Sequence, residues 1–261
     1  MSRIMSFSGS FYPDSAEVLE SYFEQFNSYI DKNITLPNID AKAIIVPHAG
    51  YVYSGFSANI AYRVLSKSSL NRFIVIAPSH RVGFEGFSVA KFNSYQTPFG
   101  DIDFDSELYE DLSQKFNIAT HIEAHAEHSS ETQFPFIKFY KPDAKILELV
   151  YSYSTPEQIA PIIEHILSLG DVGVIISTDL SHFYSLSDAK KLDSICLDAV
   201  ASNDIDKLHS GCEACGIIGV EAMMIVSKKH NLTPQLLDYR TSADFSNDES
   251  RVVGYMSAIY H

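Results

Sequence analysis

The stretch Ala43-Ile44-Ile45-Val46-Pro47-His48-Ala49-Gly50-Tyr51-Val52-Tyr53-Ser54-Gly55 decides the fold. Its first four residues are apolar without alternation, the pattern of a strand covered on both faces in a parallel sheet. Pro47 to Gly55 then make a turn into a helix carrying Ile60, Val64 and Leu65. The next apolar run, Phe73-Ile74-Val75-Ile76-Ala77, completes a βαβ unit whose right-handed crossover puts both strand ends on one edge of the sheet. Each strand ends in a histidine: His48 follows the first, and His80, within Pro78-Ser79-His80, follows the second. One such histidine alone reads as a hydrogen-bonded structural residue. Two imidazoles at the carboxyl ends of parallel strands, where open α/β sheets collect their ligands, point to a metal.

The same logic recurs later in the chain. Val172-Gly173-Val174-Ile175-Ile176-Ser177 is a third buried strand, and Thr178-Asp179-Leu180-Ser181-His182 sets a carboxylate and an imidazole beyond its end. Asp179 at that position orients a histidine, binds a ligand or caps the following turn. A further strand is expected at Ile146 to Val150 and another at Phe87 to Phe92. Helices are expected around Leu19 and Phe23, Leu108 and Leu112, Thr132 to Tyr140, Pro156 to Leu169 with a stop at Gly170, and Ser187 to Ala201. Gln235 to Ser242 and Arg251 to Ile259 read as an antiparallel hairpin. The fold class is therefore α/β, three-layer, with a mixed, mostly parallel sheet and helices on both faces. No linker or repeat divides residues 1–261, which read as a single domain.

Composition bounds the partners. A net charge of −14 leaves no basic patch for phosphates, so nucleic acid and anionic membranes are poor partners. With no apolar run of spanning length and no apolar core at the N-terminus, the chain reads as cytoplasmic. Three cysteines, an odd count, are expected as free thiols. Gly211-Cys212-Glu213-Ala214-Cys215-Gly216 is expected to open a long helix running to about Lys229, a position that would favour the Cys215 thiolate through the helix dipole. Cys212 and Cys215 also fit a C-x-x-C redox pair. Among His121, His125 and His128 on a polar stretch, only His128 is retained as a site candidate.

Taken together, Pro47-His48-Ala49-Gly50-Tyr51, Tyr53-Ser54-Gly55, Pro78-Ser79-His80, Thr97-Pro98-Phe99-Gly100-Asp101, Glu127-His128-Ser129 with Glu131 and Pro135, Ser177-Thr178-Asp179 with His182, and Cys215-Gly216 resemble the Memo family in order and spacing across nearly the whole chain. The resemblance implies the fold of class III extradiol ring-cleaving dioxygenases, with His48, His80 and Cys215 as metal ligands. It implies His182 as a proton-transfer group with Asp179 beside it; the sequence itself offers Tyr12, Tyr51 and Tyr53 as a rim, and Tyr12, Tyr53 and His128 are expected to bind the substrate. Those dioxygenases hold iron with two histidines and a carboxylate; a cysteine in the third position favours iron or copper of altered tuning, or zinc, and ring cleavage does not carry over. The expected function is a metal-dependent oxidoreductase-like activity on a small molecule. The alternative is a binding module that takes a peptide or phosphotyrosine in the same pocket.

Overall fold

The computed structural model describes residues 1–261. The chain runs through α1 (Ala16–Asn33), β1 (Ala43–Val46), α2 (Tyr51–Leu65) and β2 (Arg72–Pro78). The short strands β3 (Phe87–Val89), β4 (Ser94–Tyr95) and β5 (Ile102–Phe104) precede α3 (Ser106–Lys115), α4 (His128–Glu131) and α5 (Phe134–Tyr140). Then come β6 (Lys145–Tyr151), α6 (Pro156–Leu169), β7 (Val172–Ser177) and β8 (His182–Tyr184). The last part comprises α7 (Leu186–Ser202), α8 (Ile205–Leu208), α9 (Ile217–His230), β9 (Pro234–Thr241), α10 (Ala243–Ser246) and β10 (Val252–Tyr260).

Ten strands form one mixed sheet in the order β4-β5-β6-β2-β7-β1-β10-β8, with β3 beside β6 and β9 beside β10. The five central strands, β5, β6, β2, β7 and β1, are mutually parallel, and the C-terminal hairpin closes one side antiparallel. The continuous apolar runs have the expected consequence: every residue of β1 and β7 is buried. Helix α2 packs on β1 and β10 with α1 and α5 against it, while α6 and α9 pack on each other and on β7. This is the three-layer α/β architecture. Helix α6 opens with a capping box between Thr155 and Gln158 and stops at Gly170, whose φ of +81° is the left-handed conformation a glycine adopts at little cost. No helix is long and apolar enough to cross a membrane.

Three expectations are corrected. The strand expected over Phe87 to Phe92 is only Phe87–Val89, which pairs with Leu149 to Tyr151 of β6, while the Glu148 N–H further along that edge is taken by the Tyr95 hydroxyl. The helix expected from Gly211 begins at Ile217, so Cys215 lies just before it rather than in its first turn. The cysteines are not three free thiols: Cys196 of α7 is bonded to Cys212, and Cys215 alone is free. Cysteine count carries no information on pairing, which depends on α7 and the 209–216 loop being adjacent in space.

Candidate metal centre

The sheet order sets β2, β7 and β1 side by side, with Val46 opposite Ser177 and Ile76 opposite Ile176. His48, Asp179 and His80 each fall two to four residues past these partners, so topology alone gathers them. The His48 and His80 ring centroids are 5.2 Å apart. His128, at the start of α4, joins them at 5.3 Å from His48 and 4.6 Å from His80. One nitrogen from each of the three lies within 4.8 Å of the others. Two bonds of about 2.1 Å to one ion allow at most about 4.2 Å between donors, so small ring movements bring the group to ligating distance.

Hydrogen bonds assign which nitrogen each ring offers. Ser177 Oγ donates its single proton to Ser129 O (2.6 Å) and accepts from Gln133 Nε2 (3.0 Å). It must therefore accept from His48 Nδ1–H as well (2.9 Å), leaving the lone pair of His48 on Nε2. Glu127 does the same for His80. Burial pushes its carboxyl up, but contacts from His128 and His80 more than offset this and hold it well below the usual carboxylate range. An ionised carboxylate only accepts: Glu127 takes the His80 backbone N–H (2.7 Å) and Nδ1–H (3.2 Å), which frees His80 Nε2. His128 Nδ1 lies 2.7 Å from Glu127 Oε1, but off the direction a hydrogen bond needs, and has no other partner. Anchoring one imidazole nitrogen so that the other is free to ligate is the arrangement metal-binding histidines require.

The Cys215 Sγ is 3.3 Å from His48 Nε2. Bonds of about 2.0 Å to nitrogen and 2.3 Å to sulfur, at an angle of roughly 100°, give about that separation, so the two atoms are spaced as ligands of one ion. Cys215 stands outside the three-imidazole group. It is held by Asp179 on both sides, its N–H donating to Asp179 O (3.1 Å) and its sulfur accepting from Asp179 N–H (3.2 Å). Burial and the nearby Asp179 charge push its thiol up to about 12, the reverse of the lowering expected at a helix start. A cation in the site would draw it back to the thiolate. Gly216 allows this approach: a Cβ there would lie 2.6 Å from Ser177 O.

Asp179 accepts the His48 backbone N–H at 2.8 Å, with its other oxygen 3.9 Å from His48 Nε2. Burial raises its carboxyl, partly offset by that hydrogen bond. His182, half-buried at the start of β8, is near enough for its charge to bear on both His48 and Asp179. Tyr53 is exposed on the first turn of α2. Tyr12 does not sit where the sequence placed it: its ring is buried and its hydroxyl donates to Glu131 (2.8 Å), which makes it a wall residue rather than a rim. His128, expected beside the substrate, stands among the donors.

Sequence reasoning also set aside His125 as solvated, whereas it is 1% exposed and 2.7 Å from the buried Glu148. The available signal was Glu148 itself, a carboxylate in an otherwise apolar strand, which requires a partner. Ser177, Gln133 and Glu127 as ring anchors were missed because their role depends on neighbours distant in sequence.

His48 makes the metal-free protein sensitive to pH. Burial above all, then the charges of His80 and His128, hold its pKa well below 6.5. The unfolded chain takes up this proton below about pH 6.5 while the folded chain does not. Stability is therefore full above that value and lost as pH falls, by up to about 1.4 kcal/mol per pH unit. Urea titrations of metal-free wild type and His48→Gln at about pH 7.5 and about pH 5.5 check this. The wild type should lose about 1 kcal/mol more than the variant, and parallel losses would exclude His48 as the source.

A mostly parallel α/β sheet whose strand ends deliver anchored imidazoles and a thiol to one point defines an α/β protein with a candidate metal centre. The sequence profile described as Memo-like protein matches residues 3–259, and the chain belongs to the Memo family. Among curated relatives, a MEMO1 family protein of Methanobrevibacter smithii is 33% identical, covering 100% of both chains. One from Archaeoglobus fulgidus is 31% identical over 97% of each. MEMO1 family protein Ta0237 of Thermoplasma acidophilum is 30% identical over 99% of this chain and 98% of its own.

Proposed function

We propose that this protein is a metal-dependent oxidoreductase-like enzyme acting on a small molecule, with His48, His80 and Cys215 as ligands and His128 a further donor beside them. The observation that carries this reading is the pairing of an anchored His48, its Nε2 free, with Cys215 Sγ at 3.3 Å, a spacing suited to one shared ion. Imidazole and thiolate donors suit iron, copper or zinc, and such an ion would supply Lewis-acid or redox chemistry. Asp179 fixes the His48 backbone and, with Cys215, ties the β7 end to the loop before α9. His182 holds or passes a proton at the pocket wall, and Tyr53 borders the entrance.

The test is Glu127→Gln. The amide has one acceptor oxygen where the carboxylate uses two, one for the His80 ring N–H and one for its backbone N–H, so metal affinity in calorimetric titration should fall about 10- to 100-fold with folding preserved. Wild-type affinity in a folded Glu127→Gln protein would contradict the role given to the anchored imidazoles.

A further inference from the structure

Two loops frame the imidazole cluster, and α7 holds both. Its Asp193 accepts the Ser181 N–H (2.9 Å) and thereby fixes the segment between Asp179 and His182. One turn further along α7, Cys196 is bonded to Cys212 and fixes the loop that presents Cys215. That loop's other attachments are hydrogen bonds, three of them at Cys215 and Gly216. The Cys215 N–H bonds Asp179 O at 3.1 Å, its sulfur accepts the Asp179 N–H at 3.2 Å, and the Gly216 N–H bonds Thr178 Oγ1 at 2.8 Å. These are individually weak, and the disulfide is the loop's one covalent tie. Cys196 is 1% exposed, whereas Cys212 is half-buried, so an attacking thiol reaches the Cys212 sulfur first.

We propose that the Cys196–Cys212 disulfide is a redox latch on the metal centre: closed, it holds Cys215 against His48 as a ligand; opened, it releases the loop and weakens that ligand. This rests on the metal reading above. The chemistry is ordinary exchange with a dithiol reductant. One reductant thiolate bonds to Cys212 Sγ as the bond to Cys196 breaks, and Cys196 leaves as a thiolate that takes a proton. The second reductant thiol then displaces Cys212, giving two protein thiols and one cyclic disulfide; the protein gains two electrons and two protons. The Asp193 clamp is untouched, so Asp179 and His182 keep their places while Cys215 is freed.

The experiment uses the full chain with cobalt(II) as the probe metal. Oxidised protein, and protein reduced with a dithiol and freed of it by gel filtration under nitrogen, are each loaded and then challenged with a chelator. The latch predicts a thiolate-to-cobalt charge-transfer band in the oxidised form. It also predicts release at least about tenfold faster after reduction, slowing again on reoxidation. The Cys196→Ser/Cys212→Ser double variant should release fast whether or not reductant is added. If that variant does not fold, the reduced and reoxidised wild type still decides the matter. Equal release from both wild-type forms overturns the latch and leaves the metal reading standing, whereas failure of the oxidised form to bind cobalt overturns the metal reading and the latch with it.

Discussion

His48→Ala is expected to abolish the proposed metal binding: in calorimetric titration of metal-free protein its affinity should fall by more than about 100-fold, beyond the 10- to 100-fold that loss of an outer hydrogen-bond partner costs. His48 is central for geometric reasons. Its Nδ1 is satisfied by Ser177, its Nε2 faces Cys215 at 3.3 Å, and its ring lies within 5.3 Å of both other imidazoles. Removing it deletes the one donor that contacts the sulfur and the imidazole group alike. His182→Ala is the matched control, because it removes a nearby imidazole assigned to proton transfer and should leave affinity within a few-fold of wild type. A His182→Ala protein that loses metal as fully as His48→Ala would make His182 a ligand.

Glu131→Ala has the largest expected effect on stability, a loss of about 3–5 kcal/mol in urea unfolding, the range for stranding a buried charge. Glu131 accepts from Arg3 Nη1 (2.8 Å), the Ser6 N–H (2.9 Å), the Phe7 N–H (2.7 Å) and Tyr12 Oη (2.8 Å). Its loss leaves the buried Arg3 guanidinium hydrogen-bonded to neutral oxygens of Ile4, Ser6 and Glu127, with the more distant Glu148 oxygen at 3.8 Å as its one counter-charge. The consequence reaches the site, since this clamp holds Phe7 and Phe11 against His128, with centroids at 5.6 and 4.7 Å. Glu131→Gln, which keeps some of the acceptors, should recover part of the loss. A Glu131→Ala protein less than about 1 kcal/mol below wild type would mean that solvent or Glu148 takes over for Arg3.

What the sequence disclosed followed from short-range pattern. Continuous apolar runs marked β1, β2 and β7, and the parallel-sheet rule then required His48, His80 and Asp179 to converge without any knowledge of side-chain geometry. Gly170 marked the end of α6 for an equally local reason. Long-range pairing was not legible. Cys196 and Cys212 are 16 residues apart, and nothing in their spacing distinguishes a disulfide from two thiols. Tyr12 looked like a rim residue because a tyrosine suits either setting, and only the buried Glu131 hydroxyl partner decides between them. Cys215 was placed in the first turn of a helix because a long apolar run follows it; the chain instead brings Gly216 against Ser177 O, and the helix begins at Ile217.

The central claim is that the strand ends of β1 and β2, with Cys215, form a metal site, and metal stoichiometry tests it most directly. Protein purified without chelators or a metal-affinity column, exposed anaerobically to iron(II), copper or zinc and then desalted, is analysed by plasma mass spectrometry. The account predicts about one tightly held ion per chain, absent from the His48→Ala/His80→Ala double variant. A wild-type protein that retains none of the three metals, or a double variant that retains as much as wild type, would contradict it.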